Sequence, residues 1–278
     1  MVAPVRCAVL GDPVDHSLSP VLHRAAYDAL GLAGWTYEAV RVPGGTLAEL
    51  LRGLDSSWRG LSLTMPLKRE LLGLAGEVTE RARLAGAANT LVLGPDVAPG
   101  GLADNTDLPG AAAAVRERWS GDVDDVVVLG GGATAASTAL ALVDEGASRV
   151  RVLARSPQRA AETVDAVRAH PSAPQVEALA LPTLPVRADV VVSTVPVAAQ
   201  TPELVALLEA PVLFEVLYDP WPTPLARAAV ERGAVLVGGL DLLVHQAALQ
   251  VALFTGQDAP LEVMRAAGER ALVARARG

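Results

Sequence analysis

Lysine is almost missing from this chain. Of 23 basic residues in 278, one is lysine, Lys68, and the other 22 are arginine. Asparagine is nearly as scarce, present only as Asn89 and Asn105. A composition that elsewhere uses arginine implies that position 68 needs what arginine lacks, a compact ammonium that titrates when its surroundings shift it. Drift is the competing explanation for three rare residues. Cysteine is represented by Cys7 alone, which excludes an internal disulfide, and no Cys-x-x-Cys or His/Cys cluster offers a metal site. A reducing cytoplasm is the expected setting. No stretch of about 18 uninterrupted apolar residues occurs, and the opening, MVAPVRCAVLGDP, lacks an extended apolar segment. Neither membrane insertion nor export is therefore expected. Positive charge is in deficit as well. A net charge of -8 and a pI near 5.1 argue against a nucleic-acid or anionic-membrane partner, which needs a dense basic patch.

What is present suits an α/β protein. A hydrophobic content of 51% over 278 residues can fill two modest domains with buried sheets. Short apolar runs alternate with helical stretches, the signal of parallel strands. Strands are expected at residues 5–10, 35–40, 61–64 and 90–93, and helices at 20–30 and 47–54, with Ser19 and Pro20 as N-cap and first-turn pair. Around Asp107 the pattern changes. A helix over 111–119 leads into a more regular βα series, with strands near Val126, Val150, Val190 and Val212, ending near Val237. Residues 171–185 read as loop and strand. Helices over 239–254 and 260–274 close the chain and are too short to fold alone, so they are expected to pack back on the first domain.

The apolar run Val126 to Leu129 passes straight into Gly130-Gly131-Gly132-Ala133-Thr134-Ala135, which fits G-x-G-x-x-A before a helix. Small residues permit the tight turn and let backbone N–H groups approach a pyrophosphate, whose charge the helix N-terminus stabilises. The alternative is a plain Gly-rich βα turn. The next strand ends at Ala154-Arg155-Ser156, where an NAD site would place a carboxylate for the ribose hydroxyls. Arg155 and Ser156 suit a 2'-phosphate instead, with Arg159 in support, and favour NADP. An exposed surface arginine is the other reading of Arg155.

In GDPVDHSLSP, residues 11–20, Ser17 and Ser19 stand at the mouth of an expected helix after the first strand. Hydroxyl donors and free helix N–H groups suit a carboxylate, although Ser19 could simply cap the helix. His16 and His23 lie close by without an identifiable partner and are set aside as packing or loop residues.

In chain order, GDPVDHSLSPVLH, LSLTMPLK, GAANT, DNTD, LGGGATA, Tyr218-Asp219-Pro220 with Thr223-Pro224-Leu225, and GGLDLLVHQAALQ together resemble the shikimate dehydrogenase family over nearly the full length. The resemblance implies an α/β substrate-binding domain over 1–107, completed by C-terminal helices within 238–278. A Rossmann-type, doubly wound NADP-binding domain would occupy 108–237. It also implies NADPH-dependent reduction of 3-dehydroshikimate to shikimate in aromatic amino acid biosynthesis. In the family's terms Ser17 and Ser19 bind the substrate carboxylate and Thr64, Asn89 and Gln246 its hydroxyls, with Tyr218 nearby. Lys68 and Asp107 become the catalytic pair, Lys68 as proton donor and Asp107 orienting it and hydrogen-bonding the substrate. Gly130, Gly131, Gly132, Ala133, Thr134, Ala154, Arg155, Ser156, Arg159, Val216 and Gly239 become the cofactor set. The one lysine falls at the family's catalytic lysine, and both asparagines at its substrate-binding asparagines. Ser62, Ala154 and Leu242 depart from the family's common Asn, Asn and Met. The expected partners are small molecules, in a monomer or homodimer. A quinate/shikimate dehydrogenase of broader specificity and a non-catalytic NADP(H)-binding sensor are the rival readings.

Overall fold

Apolar runs that read as strands become strands whose side chains are covered on both faces, the condition under which parallel sheets occur. A computed structural model describes residues 4–277. Residues 1–3 and 278 lie outside it, and with them the first residues of the opening stretch read as lacking a leader. The chain divides into two compact units, one formed by residues up to Thr106 with those from Leu243 onward, the other by Asp107–Leu242. The sequence expectation set these divisions at 107/108 and 237/238; the second now falls inside a helix.

The first unit begins with β1 (Val5–Gly11), α1 (Ser19–Ala29), β2 (Trp35–Arg41), α2 (Leu47–Arg52) and β3 (Trp58–Leu63). It continues with β4 (Glu77–Val78), α3 (Glu80–Ala85), β5 (Thr90–Val92) and β6 (Leu102–Asp104). These strands make one six-stranded sheet in the order β2-β1-β3-β5-β6-β4. Leu10, Leu47, Leu61, Leu63, Leu67 and Leu91 form its core. The sheet is not all parallel, as the alternation had suggested: β5 runs antiparallel to both β3 and β6. The loop from β5 to β6 is too short for a crossover helix, so the chain reverses direction there.

The helix after β1 also begins differently from expectation. Ser19 is not the N-cap of α1; that position is Leu18, without a side-chain cap bond, and Pro20 occupies the first turn. The Ser17 hydroxyl instead accepts the Ser19 N–H at 3.2 Å, and Pro20 has no N–H to satisfy.

The second unit holds α4 (Asp107–Arg118), β7 (Asp125–Leu129), α5 (Ala133–Asp144), β8 (Arg149–Ala154), α6 (Ala161–Arg168) and β9 (Gln175–Ala180). After the short β10 (Val186–Arg187) come β11 (Val190–Ser193), α7 (Pro202–Leu207), β12 (Leu208–Glu209), β13 (Val212–Glu215), α8 (Pro224–Glu231) and β14 (Val235–Val237). Six strands form a wholly parallel sheet in the order β14-β13-β11-β7-β8-β9. The order reverses at β7, which creates the switch point where doubly wound sheets take nucleotides. The helix expected over 111–119 starts earlier, at Asp107, with Pro109 in its first turn, where a missing N–H costs nothing.

Two helices close the chain, α9 (Gly239–Thr255) and α10 (Leu261–Arg277). The latter packs on α1, as the short tail required. On β3, Gly60 clears space for α9: a Cβ there would lie 2.2 Å from the Phe254 ring. No helix among the described residues is long and apolar enough to cross a membrane.

Candidate active site

Parallel pairing sets the C-terminal ends of β1 and β3 side by side, the edge at which open α/β sheets bind ligands. From β1 the chain passes through Gly11 to Ser17 and Ser19; from β3 it passes to Thr64 and Lys68. Backbone bonds tie the two loops, Thr64 N–H to the Leu10 carbonyl at 2.8 Å and Asp12 N–H to the Met65 carbonyl at 3.0 Å. Gly11 is required by this closeness, since a Cβ would lie 2.3 Å from Thr64 Cγ2. Ser19 is buried, while Ser17, Thr64 and Lys68 are half-buried.

The antiparallel course of β5 brings the next residues to the same edge. Its first residue, not its last, lies beside the end of β3, and the Leu63 N–H donates to the Asn89 carbonyl at 2.7 Å. β6 reverses again and ends there, followed by Asn105 and Thr106. Asn89 Oδ1 accepts the Thr106 N–H at 2.8 Å, and its Nδ2 donates to Gln246 Oε1 at 3.1 Å. A backbone N–H can only donate, so the first bond fixes which end of the amide is oxygen. The Lys68 carbonyl accepts the Ala88 N–H at 2.7 Å, tying the lysine's backbone to the asparagine loop.

Asn105 does something other than expected for a substrate-binding asparagine. It is wholly buried, and its Nδ2 donates to the Ala87 carbonyl at 2.9 Å, bracing the loop that carries Asn89. Asp104 is equally structural. It accepts from the Thr79 hydroxyl at 2.7 Å and the Asn105 N–H at 2.8 Å, and it pairs with Arg81. Burial opposes its ionisation, yet the bonds from Arg81 and Thr79 prevail and hold its carboxyl below the ordinary range. Asp107 is buried as the first residue of α4 and belongs to the second unit, as does the half-buried Tyr218 in the loop after β13.

His23, beside the serine motif, is a packing residue. Its Nδ1 donates to the Ser19 carbonyl at 2.9 Å, and its ring stacks on Tyr37 with centroids 3.9 Å apart. Burial pushes its pKa down to about 4, leaving a neutral imidazole at pH 7.

In the second unit, Gly130 to Gly132 turn from β7 into α5, and each glycine has its own reason. Gly130 has φ +104°, and a Cβ there would meet Thr194 Oγ1 at 2.4 Å. Gly131 sits against the turn that carries Arg159, where a Cβ would lie 2.6 Å from Ala160 Cα. A Cβ on Gly132 would meet nothing within 4 Å; this residue caps α5 without a side-chain bond, so the first-turn N–H groups of α5 have no side-chain cap. Gly130, Gly131, Gly132, Ala154, Arg155, Ser156 and Arg159 line one groove of about 930 Å³. Arg155 and Arg159 are exposed along it. Open glycine backbone, a helix N-terminus and two arginines fit a dinucleotide with an extra phosphate. Ala133 and Thr134 open α5, whereas Val216 and Gly239 are away from the groove lining and meet each other: a Cβ on Gly239 would lie 2.4 Å from the Val216 carbonyl oxygen.

Two groups escaped the sequence reading. The loop after β11, with Pro196, Ala199 and Thr201, lines the opposite wall of the groove. Its signal was its position at the C-terminal end of a parallel strand next to β7. Tyr37, Thr90 and Gln250 join Ser62, already marked as a departure from the family's common Asn, in a buried polar cluster.

A doubly wound sheet with a phosphate-suited groove, in one chain with a mixed sheet bearing clustered hydroxyls and amides, defines the class of dinucleotide-dependent oxidoreductases. Comparison with known proteins narrows the class. Residues 9–91 match the family described as the shikimate dehydrogenase substrate binding domain, and 239–267 the shikimate 5'-dehydrogenase C-terminal domain. Residues 125–213 match the family described as NADP oxidoreductase coenzyme F420-dependent. The shikimate dehydrogenase (NADP(+)) of Methylobacterium radiotolerans is 38% identical, over 88% of this chain and 89% of that protein. The crystal structure of Mycobacterium tuberculosis shikimate dehydrogenase superposes with a TM-score of 0.84 at 39% identity, covering 96% of this chain and 100% of that one. Shikimate 5-dehydrogenase from Thermus thermophilus, in complex with NADP(H) and shikimate, gives 0.83 at 31% identity over 96% and 99% of the two chains. The chain belongs to the shikimate dehydrogenase family.

Proposed function

We propose that this chain reduces 3-dehydroshikimate to shikimate with NADPH, the step that serves aromatic amino acid biosynthesis. The observation that carries this reading is the single lysine, seated in the loop after β3 and tied through its own carbonyl to the loop of Asn89. Ser17 and Ser19 bind the substrate carboxylate, while Thr64, Asn89 and Gln246 take its hydroxyls, with Tyr218 nearby. When bound, the reduced nicotinamide supplies the hydride to the C3 carbonyl. Lys68 stabilises the negative charge developing on that oxygen and supplies the proton. Asp107 is the second member of the catalytic pair and accepts a hydrogen bond from the substrate.

Gly130, Gly131, Gly132, Ala133 and Thr134 present backbone N–H groups to the pyrophosphate. Arg155, Ser156 and Arg159 hold the 2'-phosphate next to Ala154, and Val216 and Gly239 complete the cofactor set. A cytoplasmic setting belongs to the same reading, as does a monomeric or homodimeric state.

Turnover measured by NADPH absorbance, with shikimate against quinate and NADP against NAD, tests this. Shikimate with NADP is the expected best pair, and Arg155→Ala weakens NADP selectively by about 1 to 3 kcal/mol. Equal loss with both cofactors would overturn the phosphate assignment. Quinate turned over as efficiently as shikimate would favour a broader quinate/shikimate dehydrogenase, and no turnover of either would favour a sensor.

A further inference from the structure

Behind the residues assigned to the substrate lies a buried polar chain within the first unit whose hydrogen bonds all point one way. The Gln250 amide is oriented by the Asn89 carbonyl, which can only accept and lies 3.2 Å from Gln250 Nε2. That leaves Gln250 Oε1 facing Ser62 Oγ at 2.8 Å, so the Ser62 hydroxyl spends its one proton there. The Tyr37 hydroxyl, 2.5 Å from Ser62 Oγ, must then be the donor to it. On the other side Gln250 Nε2 donates to Thr90 Oγ1 at 2.9 Å, and the Thr90 hydroxyl donates to Asn89 Oδ1 at 2.9 Å. Asn89 passes the direction on to Gln246 Oε1, and Gln246 is itself oriented by donating to the Leu243 carbonyl at 3.0 Å. Tyr37, Ser62, Thr90 and Gln250 are each at most 4% exposed, so none of their polar groups can turn to water instead.

We propose that Gln250 is a positioning residue for shikimate: through Thr90, which donates to Asn89 Oδ1, this one-way chain reinforces the orientation that the Thr106 N–H gives the Asn89 amide and the Leu243 carbonyl gives Gln246, the orientation that meets the substrate's hydroxyls. The inference rests on the reading of Asn89 and Gln246 as substrate contacts. Direction is what the chain enforces. Reversing any single amide would set two donors or two acceptors face to face in a buried site. A second consequence concerns Ser62, whose proton is committed to Gln250. Toward a ligand it can only accept, so it suits a hydroxyl O–H and is unsuited to a carboxylate.

Gln250→Glu tests direction, because a carboxylate still accepts from Ser62 but cannot donate to Thr90 or to the Asn89 carbonyl. Thr90→Val breaks the chain one step further on, and Thr90→Ser restores it. Each folded variant is assayed by calorimetry for shikimate binding and by kinetics for both substrates. Gln250→Glu and Thr90→Val are expected to weaken shikimate binding about tenfold or more. The KM for NADP should stay unchanged, and Thr90→Ser should bind as the parent does. Unchanged shikimate affinity in folded Gln250→Glu and Thr90→Val would overturn the proposal, as would equal losses for shikimate and NADP. If Gln250→Glu fails to fold, the Thr90 pair alone decides. Asn89→Ala, measured alongside, separates the two ideas: unaltered shikimate affinity there would refute the assignment of Asn89 itself.

Discussion

At the scale of single residues, function is concentrated in the rarest side chain. In a chain that uses arginine at every other basic position, Lys68→Arg is the most informative change. Guanidinium keeps the charge but does not readily give up a proton, and it places its donors in a wider planar fork. Turnover is expected to fall roughly 100-fold or more while shikimate still binds, as follows from losing a proton donor that acts in the transition state. Steady-state kinetics with a separate binding measurement checks this. Near-parental turnover would take Lys68 out of the mechanism, and lost binding with an intact fold would make it a substrate clamp. Asn105 carries the opposite lesson. Its rarity and the family resemblance placed it with Asn89, but it is completely buried and holds the Ala87 carbonyl.

At the scale of elements, the direction of one short strand matters most. Had β5 paired in parallel with β3, its start would lie at the far end of the sheet, away from Thr64; antiparallel pairing sets Ser62 opposite Thr90 and brings Asn89 to the loop edge. α9 then supplies Gln246 and Gln250 from above the same strands, and its seating depends on Gly60. Gly60→Ala should force the Phe254 ring aside and destabilise the protein by about 1 to 3 kcal/mol. Shikimate binding should weaken with it, because α9 carries both glutamines. Adding Phe254→Leu to Gly60→Ala is expected to recover part of the stability, a non-additivity that denaturant unfolding of the single and double variants would show. Strict additivity would mean that the two positions do not compete for space.

At the scale of the whole molecule, stability varies with pH through groups whose surroundings change on folding. His23 is the clearest, lowered by burial from 6.5 to about 4. The folded state keeps it neutral where the unfolded chain would protonate it. Its contribution is therefore complete above pH 6.5 and is lost as pH falls toward 4, by roughly 3 kcal/mol in all. Glu215 acts in the opposite sense. Burial raises its pKa despite bonds from Leu217, Thr223 and Gln200, so it stabilises as pH falls through the raised value. Denaturant unfolding at pH 7 and pH 4.5 isolates the histidine by comparison with His23→Phe, which keeps a ring against Tyr37 and cannot titrate. The variant should lose clearly less stability on acidification than its parent, and equal losses would exclude His23 as the cause.

What the sequence by itself determined was local. The β7–Gly–α5 turn, the arginine in place of an acidic residue after β8, the serine pair after β1 and the isolated lysine each depend on a few consecutive residues and their spacing. Glycine conformation, missing carboxylates and rare side chains are visible without a fold. Tertiary structure alone decided what depends on partners far along the chain. Strand direction at β5 follows from the pairing available to it, and Gln250 meets Ser62 and Asn89 across more than 150 positions of sequence. The groove wall after β11 comes from a neighbouring strand. A hydrogen-bond donor in the sequence has no direction until burial removes water as an alternative and a backbone group selects which end of an amide can face it.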